Sequence, residues 1–275
     1  MRSNTDLSSA NKAMPYPDTL VTRSSLTADL REVGVSAGDV LCVHTSMKSL
    51  GFVIGGARTI IDSLLEAIGD NGTLMMPTYS GDLSDPAEWA HPPVPPEWIE
   101  TIRRETPAYD PLRTPTRRMG TVPELFRHWP GAVRSSHPQS SFAALGPDAD
   151  ALVGEHQLDD RFGPDSPLGH LVKFKGKVLL LGAPYDTTAL FHLTHHLAGG
   201  AKHVVKRSPI NVEGQQEWAE YSDVNYSNDW FEDGITMLIE KEIAHLGRVG
   251  AARTVLLPAL EAVEVVVAWR KRLDR

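Results

Sequence analysis

Short apolar runs alternating with amphipathic stretches are the feature that most narrows the folds open to this chain. Asp39 to His44 has a buried-strand pattern, Ala57 to Ile68 carries Ile60, Ile61, Leu64, Leu65 and Ile68 on one helical face, and Gly72 to Met76 is a second strand pattern. Strand, helix and strand at this spacing make a βαβ unit, whose strands run parallel because the helix carries the chain back across the sheet. A helix from Ser25 to Val33, capped by Ser25 and closed by Gly34, precedes the unit. The alternation resumes further on, with helices near Val122 to Arg127 and Leu168 to Phe174 and strands near Ser141 to Leu145 and Lys177 to Gly182. Asp186 is placed to cap a helix running to about Ala198. Pro209 to Val212 and Glu217 to Tyr221 flank a turn at Glu213 to Gln216 and predict an antiparallel hairpin. A helix from Asp229 to His245, a strand from Ala252 to Leu257 and a helix from Ala259 to Arg272 complete the pattern.

Between Tyr79 and Thr116 eight prolines, from Pro86 to Pro115, deny both a continuous helix and a central strand. A loop this long in a compact fold is usually functional or mobile. The expected architecture is an α/β fold with a mainly parallel central sheet flanked by helices, an added antiparallel element and a Pro-rich loop insertion. Residues 1–15 are polar and are expected to be a disordered tail, and 16–275 a single domain with its insertion at 79–116.

Charge and cysteine content exclude several functions. A net charge of −8 has the wrong sign for broad nucleic-acid binding or for an anionic membrane surface, and suits a cationic small substrate. The single cysteine, Cys42, rules out an intrachain disulfide and a cysteine zinc cluster, and fits a reducing cytoplasm. No apolar run approaches the roughly 18 residues that a membrane helix needs. A monomer or a homodimer is expected, and no apolar stripe marks an interface that would decide between them.

The densest polar cluster follows the strand at Lys177 to Gly182. There His192, His195 and His196 share a helix face at spacings of three and four residues. At the carboxyl end of a parallel strand His192 is well placed as a catalytic base, while a single histidine equally well satisfies a hydrogen bond in the core. Two histidines four apart can also chelate zinc, so metal hydrolysis is an alternative, although a zinc-peptidase helix would carry Glu where this chain has Leu193. The loop after His44, with Thr45, Ser46, Lys48, Ser49 and Gly51, combines hydroxyls, a lysine and glycine as a cradle for a phosphorylated cofactor. Arg113, Arg117 and Arg118 add positive charge that can meet phosphates. No Walker motif, dinucleotide glycine triplet or Gly-x-Ser-x-Gly elbow is present.

Four stretches occur in order: His44 to Gly51, Met119 to Glu124, Arg134 to Pro138, and Leu179 through Asp186 to His192. Together they resemble the aminoglycoside 3-N-acetyltransferases, an antibiotic acetyltransferase family unrelated in fold to the common GNAT enzymes. The resemblance implies transfer of acetyl from acetyl-CoA to the 3-amino group of a 2-deoxystreptamine antibiotic, conferring antibiotic resistance. It matches His192 to the family's catalytic histidine. It also places Thr45, Ser46, Lys48, Ser49, Leu50, Gly51, Met119, Gly120 and Val122 where the family holds coenzyme A, with no metal. Tyr79, Asp82, Glu88, Asp186 and Asp223 are expected to contact the cationic acceptor. Family members often carry Glu three residues after the catalytic histidine, and this chain has His195 there. Asn225 replaces an acid common near Asp223. An acetyltransferase for another small amine in biosynthesis is the alternative within the same chemistry. In either case the attacking amine must be neutral, so a histidine base suits neutral pH, and an N–H or hydroxyl near Thr45 or Ser46 is expected to meet the oxyanion.

Overall fold

The computed structural model describes residues 18–273, and the expected tail at 1–15 lies outside them. The strands in chain order are β1 (Leu20–Val21), β2 (Val40–Thr45), β3 (Phe52–Val53), β4 (Thr73–Pro77), β5 (Val133–Arg134), β6 (Phe142–Leu145), β7 (Lys177–Leu181), β8 (His203–Val212), β9 (Gln215–Val224), β10 (His245–Val249) and β11 (Ala252–Pro258). The α-helices are α1 (Arg23–Glu32), α2 (Gly56–Ile68), α3 (Ile99–Glu105), α4 (Thr121–Phe126), α5 (Ala149–Val153), α6 (Pro167–Lys173), α7 (Leu190–Ala198), α8 (Phe231–Glu240) and α9 (Ala259–Leu273). Seven strands form the central sheet in the order β10-β11-β7-β2-β4-β6-β5. None of the described helices is long and apolar enough to cross a membrane.

The expected βαβ unit is present, with β2 and β4 parallel neighbours joined by α2. The sheet as a whole is mixed, however, and not mainly parallel. Only β2 with β4 and β2 with β7 are parallel, and the other four of its six pairings are antiparallel. Strand direction depends on connections that local periodicity does not reveal. β10 and β11 form a hairpin through Gly250, at φ 54°, and Ala251, which forces antiparallel pairing. β10 begins at His245, where apolar spacing predicts the end of a helix; α8 instead stops at Glu240 and Glu242 turns the chain at φ 60°.

Two caps also differ from expectation. Thr22, not Ser25, caps α1, and Ser25 completes the reciprocal capping box from the third helical position. Asp186 lies in a 3-10 turn, Tyr185–Thr187, ahead of α7 and does not cap that helix.

Alternation along the central strands separates two apolar layers. Leu41 and Val43 of β2 and Leu179 and Leu181 of β7 pack with Leu26, Leu30, Ile60 and Leu64 beneath α1 and α2. Cys42 of β2 and Val178 and Leu180 of β7 face the other way, onto Leu168, Leu190, Phe191 and Phe231. With a period of two residues, His44 shares that second face with Cys42.

The Pro-rich stretch is folded against the rest of the protein. Pro86 and Pro96 start 3-10 turns, where a missing N–H costs nothing, and α3 fits between Pro96 and Pro107. The hairpin of β8 and β9 is a separate two-stranded sheet that holds this stretch through Trp218 Nε1–H donating to the Arg103 carbonyl (2.7 Å) and Tyr109 N–H donating to the Pro209 carbonyl (3.0 Å). Asp85 is buried in a bidentate pair with Arg103, and Glu88 pairs with Lys206 at 2.6 Å.

Candidate active site

The carboxyl ends of β4, β2 and β7 meet along one edge of the sheet, the edge where parallel strands leave their turns free for ligands. Gly182, just past β7, sits at φ 66°, and a Cβ there would lie 2.8 Å from Ser49 Cβ and 2.9 Å from Ala252 Cβ. Glycine therefore lets the loop after β2 lie across the end of β7. Ser46 N–H donates to the Leu181 carbonyl (3.0 Å) and Ser49 Oγ–H to the Gly182 carbonyl (3.1 Å), which anchors that loop.

Two clefts open on this edge. The first, of 530 Å³, is lined by Thr45, Ser46, Lys48, Met119, Gly120 and Val122 of the expected cofactor residues, and also by His44, Asp186 and His192. Neither Lys48 nor Arg118, its two cationic lining residues, is ion-paired among the described residues. The second cleft, of 830 Å³, is lined by Asp82, Trp89, Arg161 and Phe162. Tyr79, Arg118, Met119 and His192 line both, so His192 stands where the two clefts join.

Several expected site residues are placed elsewhere. Ser49, Leu50 and Gly51 do not line the first cleft, and Leu50 is fully buried in the core, so that this part of the loop anchors the cradle. Glu88 and Asp223 line neither cleft. Asp223 is 1% exposed; its Oδ2 lies 3.0 Å from Arg161 Nε, and its Oδ1 accepts the Val224 N–H at 2.8 Å.

The surroundings of His192 are aromatic. Its ring stacks on Phe162, with centroids 4.7 Å apart at 13°, and meets Tyr226 at 5.1 Å and Phe231 at 4.9 Å. Its Nδ1 is buried without a hydrogen-bond partner, which leaves Nε2 as the nitrogen available to a ligand. Burial, reinforced by the Arg161 charge and the neighbouring His195 and His44, holds its pKa well below the usual histidine value. The imidazole is therefore neutral at pH 7, the state a base needs.

The three histidines of α7 diverge. His195 Nε2–H donates to the Ser227 carbonyl (3.0 Å), and His196 Nε2 pairs with the Tyr226 hydroxyl (2.7 Å). Among the described residues no group of three or more His, Cys, Asp or Glu is arranged to hold a metal ion, and no carboxylate is hydrogen-bonded to His192.

Phe162 was missed by sequence reasoning, as were Arg161 and Tyr226. The stretch from His156 to Asp165 has no periodicity to read; its one signal is Gly163-Pro164, and a Cβ on Gly163 would lie 1.7 Å from Asp160 Oδ1. Because Phe162 stacks on the His192 ring where no carboxylate does, Phe162→Leu is expected to lower kcat by about tenfold or more, short of the roughly 10²-fold that a misplacement of a reacting group by about 1 Å can cost. Phe162→Tyr should retain activity, and KM for the cofactor should stay within about twofold of wild type in both. Equal losses in the two variants would remove the positioning role.

Burial also depresses the pKa of His44 and of His156 to about 4. Unfolding returns both to about 6.5, so the unfolded chain binds more protons between these values. Their contribution to stability is complete above pH 6.5 and is lost as pH falls towards 4, amounting to about 3 kcal/mol each. Thermal melts should show the midpoint falling by about 10 °C or more between pH 6.5 and 4.5; a flat profile would mean that these rings are solvated.

Comparison with known proteins gives a consistent result. Residues 42–271 match the family model described as aminoglycoside 3-N-acetyltransferase. The chain is 42% identical over 268 residues to aminoglycoside N(3)-acetyltransferase VIII of Streptomyces fradiae, covering 90% of this chain and 91% of that protein. Among solved structures it is similar to YokD protein from Bacillus subtilis, with a TM-score of 0.90 at 38% identity over 94% of this chain and 95% of that one. It is also similar to AAC-IIIb binary with CoASH, with a TM-score of 0.82 at 33% identity over 92% of this chain and 97% of that one.

Proposed function

This chain belongs to the aminoglycoside 3-N-acetyltransferase family, and from that premise we propose how its two clefts share the reaction. It is an acyltransferase that moves acetyl from acetyl-CoA to the 3-amino group of an aminoglycoside. One observation supports the division of labour above all: His192 lines both clefts at their junction.

The first cleft suits coenzyme A. Lys48 and Arg118 offer unpaired cations to its phosphates, and Thr45 and Ser46 present polar groups beside them. When bound there, acetyl-CoA supplies the thioester that is to be cleaved. His192 Nε2 receives the proton of the attacking amine, and the surrounding aromatic rings exclude water from that transfer. No covalent intermediate on the protein is required.

The second cleft takes the aminoglycoside, with Tyr79 at its inner end and Asp82 as a carboxylate facing the cationic acceptor, while Asp186 carries negative charge into the first. Asp85, Glu88 and Asp223 are neutralised by Arg103, Lys206 and Arg161 and act on the acceptor only indirectly. Arg117 and Arg118 in the second cleft favour acceptors of lower positive charge within the class. The supply of acetyl-CoA favours the cytoplasm as the site of this activity, carried out by a monomer or a homodimer.

The test is thiol release from acetyl-CoA with a panel of 2-deoxystreptamine aminoglycosides in the presence of chelator. Release that depends on the antibiotic supports the reading, with the less charged members turned over best. Absence of release with every aminoglycoside but release with a simpler amine would move the acceptor class, and activity restored only by metal would favour hydrolysis.

A further inference from the structure

Resting on the acetyl-transfer reading, we propose that His44 is a further catalytic residue: a ring N–H of its neutral imidazole donates a hydrogen bond to the acetyl carbonyl oxygen of acetyl-CoA as the amine attacks. The attack places negative charge on that oxygen, and a donor already fixed in a dry site stabilises it without reorganisation.

Four observations converge on this residue. His44 lines the first cleft together with His192. It is the penultimate residue of β2, at the carboxyl edge of the parallel strands, directly opposite Leu180 of β7. Strand alternation turns it to the face that carries α7. Its side chain is 7% exposed, and its Nε2 is buried with no hydrogen-bond partner, a costly arrangement unless something else meets a polar ring in this position.

Of the donors expected from the sequence, the Ser46 N–H is already used by the Leu181 carbonyl. Burial holds the His44 pKa at about 4, so the ring stays neutral at pH 7 and retains one N–H. A neutral imidazole can stabilise an oxyanion by donation without giving up its proton, as a neutral histidine does for the substrate carbonyl in triosephosphate isomerase.

In the step itself the amine nitrogen bonds to the carbonyl carbon, and its proton passes to His192. The carbon–sulfur bond then breaks with its electron pair leaving on sulfur. His44 keeps its proton throughout.

The test uses the full chain with acetyl-CoA labelled with ¹³C at the carbonyl, without acceptor. Bound to wild type, the carbonyl resonance should move downfield from its position in free acetyl-CoA, and in His44→Leu the move should be lost while CoASH binds with unchanged affinity. Turnover in His44→Leu should fall by about 10²-fold with both KM values within about twofold. One of His44→Asn and His44→Gln, whose amides offer an N–H near the two ring positions, should restore at least about tenfold of that. The proposal is overturned by an unmoved carbonyl resonance in wild type, by a resonance that moves equally in His44→Leu, or by a loss of the move in Tyr79→Phe alone. If His44→Leu does not fold, the wild-type resonance and the amide variants still decide. A wild type that binds acetyl-CoA with a moved resonance but acetylates no aminoglycoside would instead remove the acceptor assignment and leave His44 in place.

Discussion

His192→Ala is expected to reduce turnover by about 10³-fold while CoASH binds as it does to wild type, within the range that loss of a general base produces. The amine must lose a proton during attack, and Nε2 of His192 is the neutral ring nitrogen open at the junction of the clefts. Its depressed pKa keeps that nitrogen unprotonated well into the acid range, so the wild-type acid limb should lie below pH 6.5. Without the base the residual rate depends on amine that is already deprotonated, and it should climb with pH where wild type is flat. Steady-state kinetics between pH 6 and 9 with calorimetric titration of CoASH make the check. A variant that keeps more than half of wild-type turnover would take the proton transfer away from His192.

Asp223→Ala is expected to cost about 3–5 kcal/mol of stability, because removing one member of a buried ion pair strands the other charge. Asp223 is 1% exposed against Arg161 at 3.0 Å, and the same guanidinium lies over the Phe162 ring at 5.0 Å and the Tyr226 ring at 4.7 Å. Burial pushes the carboxyl pKa up and Arg161 pulls it back, so the pair persists only because its members are held together. Loss of the carboxylate also leaves a bare charge beside His192, and turnover should fall along with stability. A direct contact with the antibiotic would instead raise KM and leave the melting temperature unchanged. Replacing both partners by apolar residues, Asp223→Leu with Arg161→Met, should recover much of the stability. Chemical denaturation and kinetics on the single and double variants separate these outcomes.

Much of the local structure was legible. The βαβ unit and most helices appear within a few residues of the expected bounds because burial of one face imposes a period that each segment displays on its own, and the hairpin turns where expected although β8 begins at His203, six residues before Pro209. The motif residues His44 to Lys48, Met119 to Val122 and His192 do line one cleft, since strand ends and loops keep their chemistry in short contiguous stretches. Charge could not be read in the same way. Asp85, Glu88 and Asp223 look alike in sequence to Asp82, yet each is engaged by an arginine or lysine that is distant in the chain.

By itself the sequence determined most of the elements, their faces and the candidate for the base, all properties of residues close in the chain. Tertiary structure alone decided that most strand pairs are antiparallel, that Phe162 and not a carboxylate seats His192, and which acids reach a cleft. The physical reason is that pairing direction, stacking and ion pairing depend on partners brought together across long stretches of chain, and no local period or charge count specifies which distant group arrives.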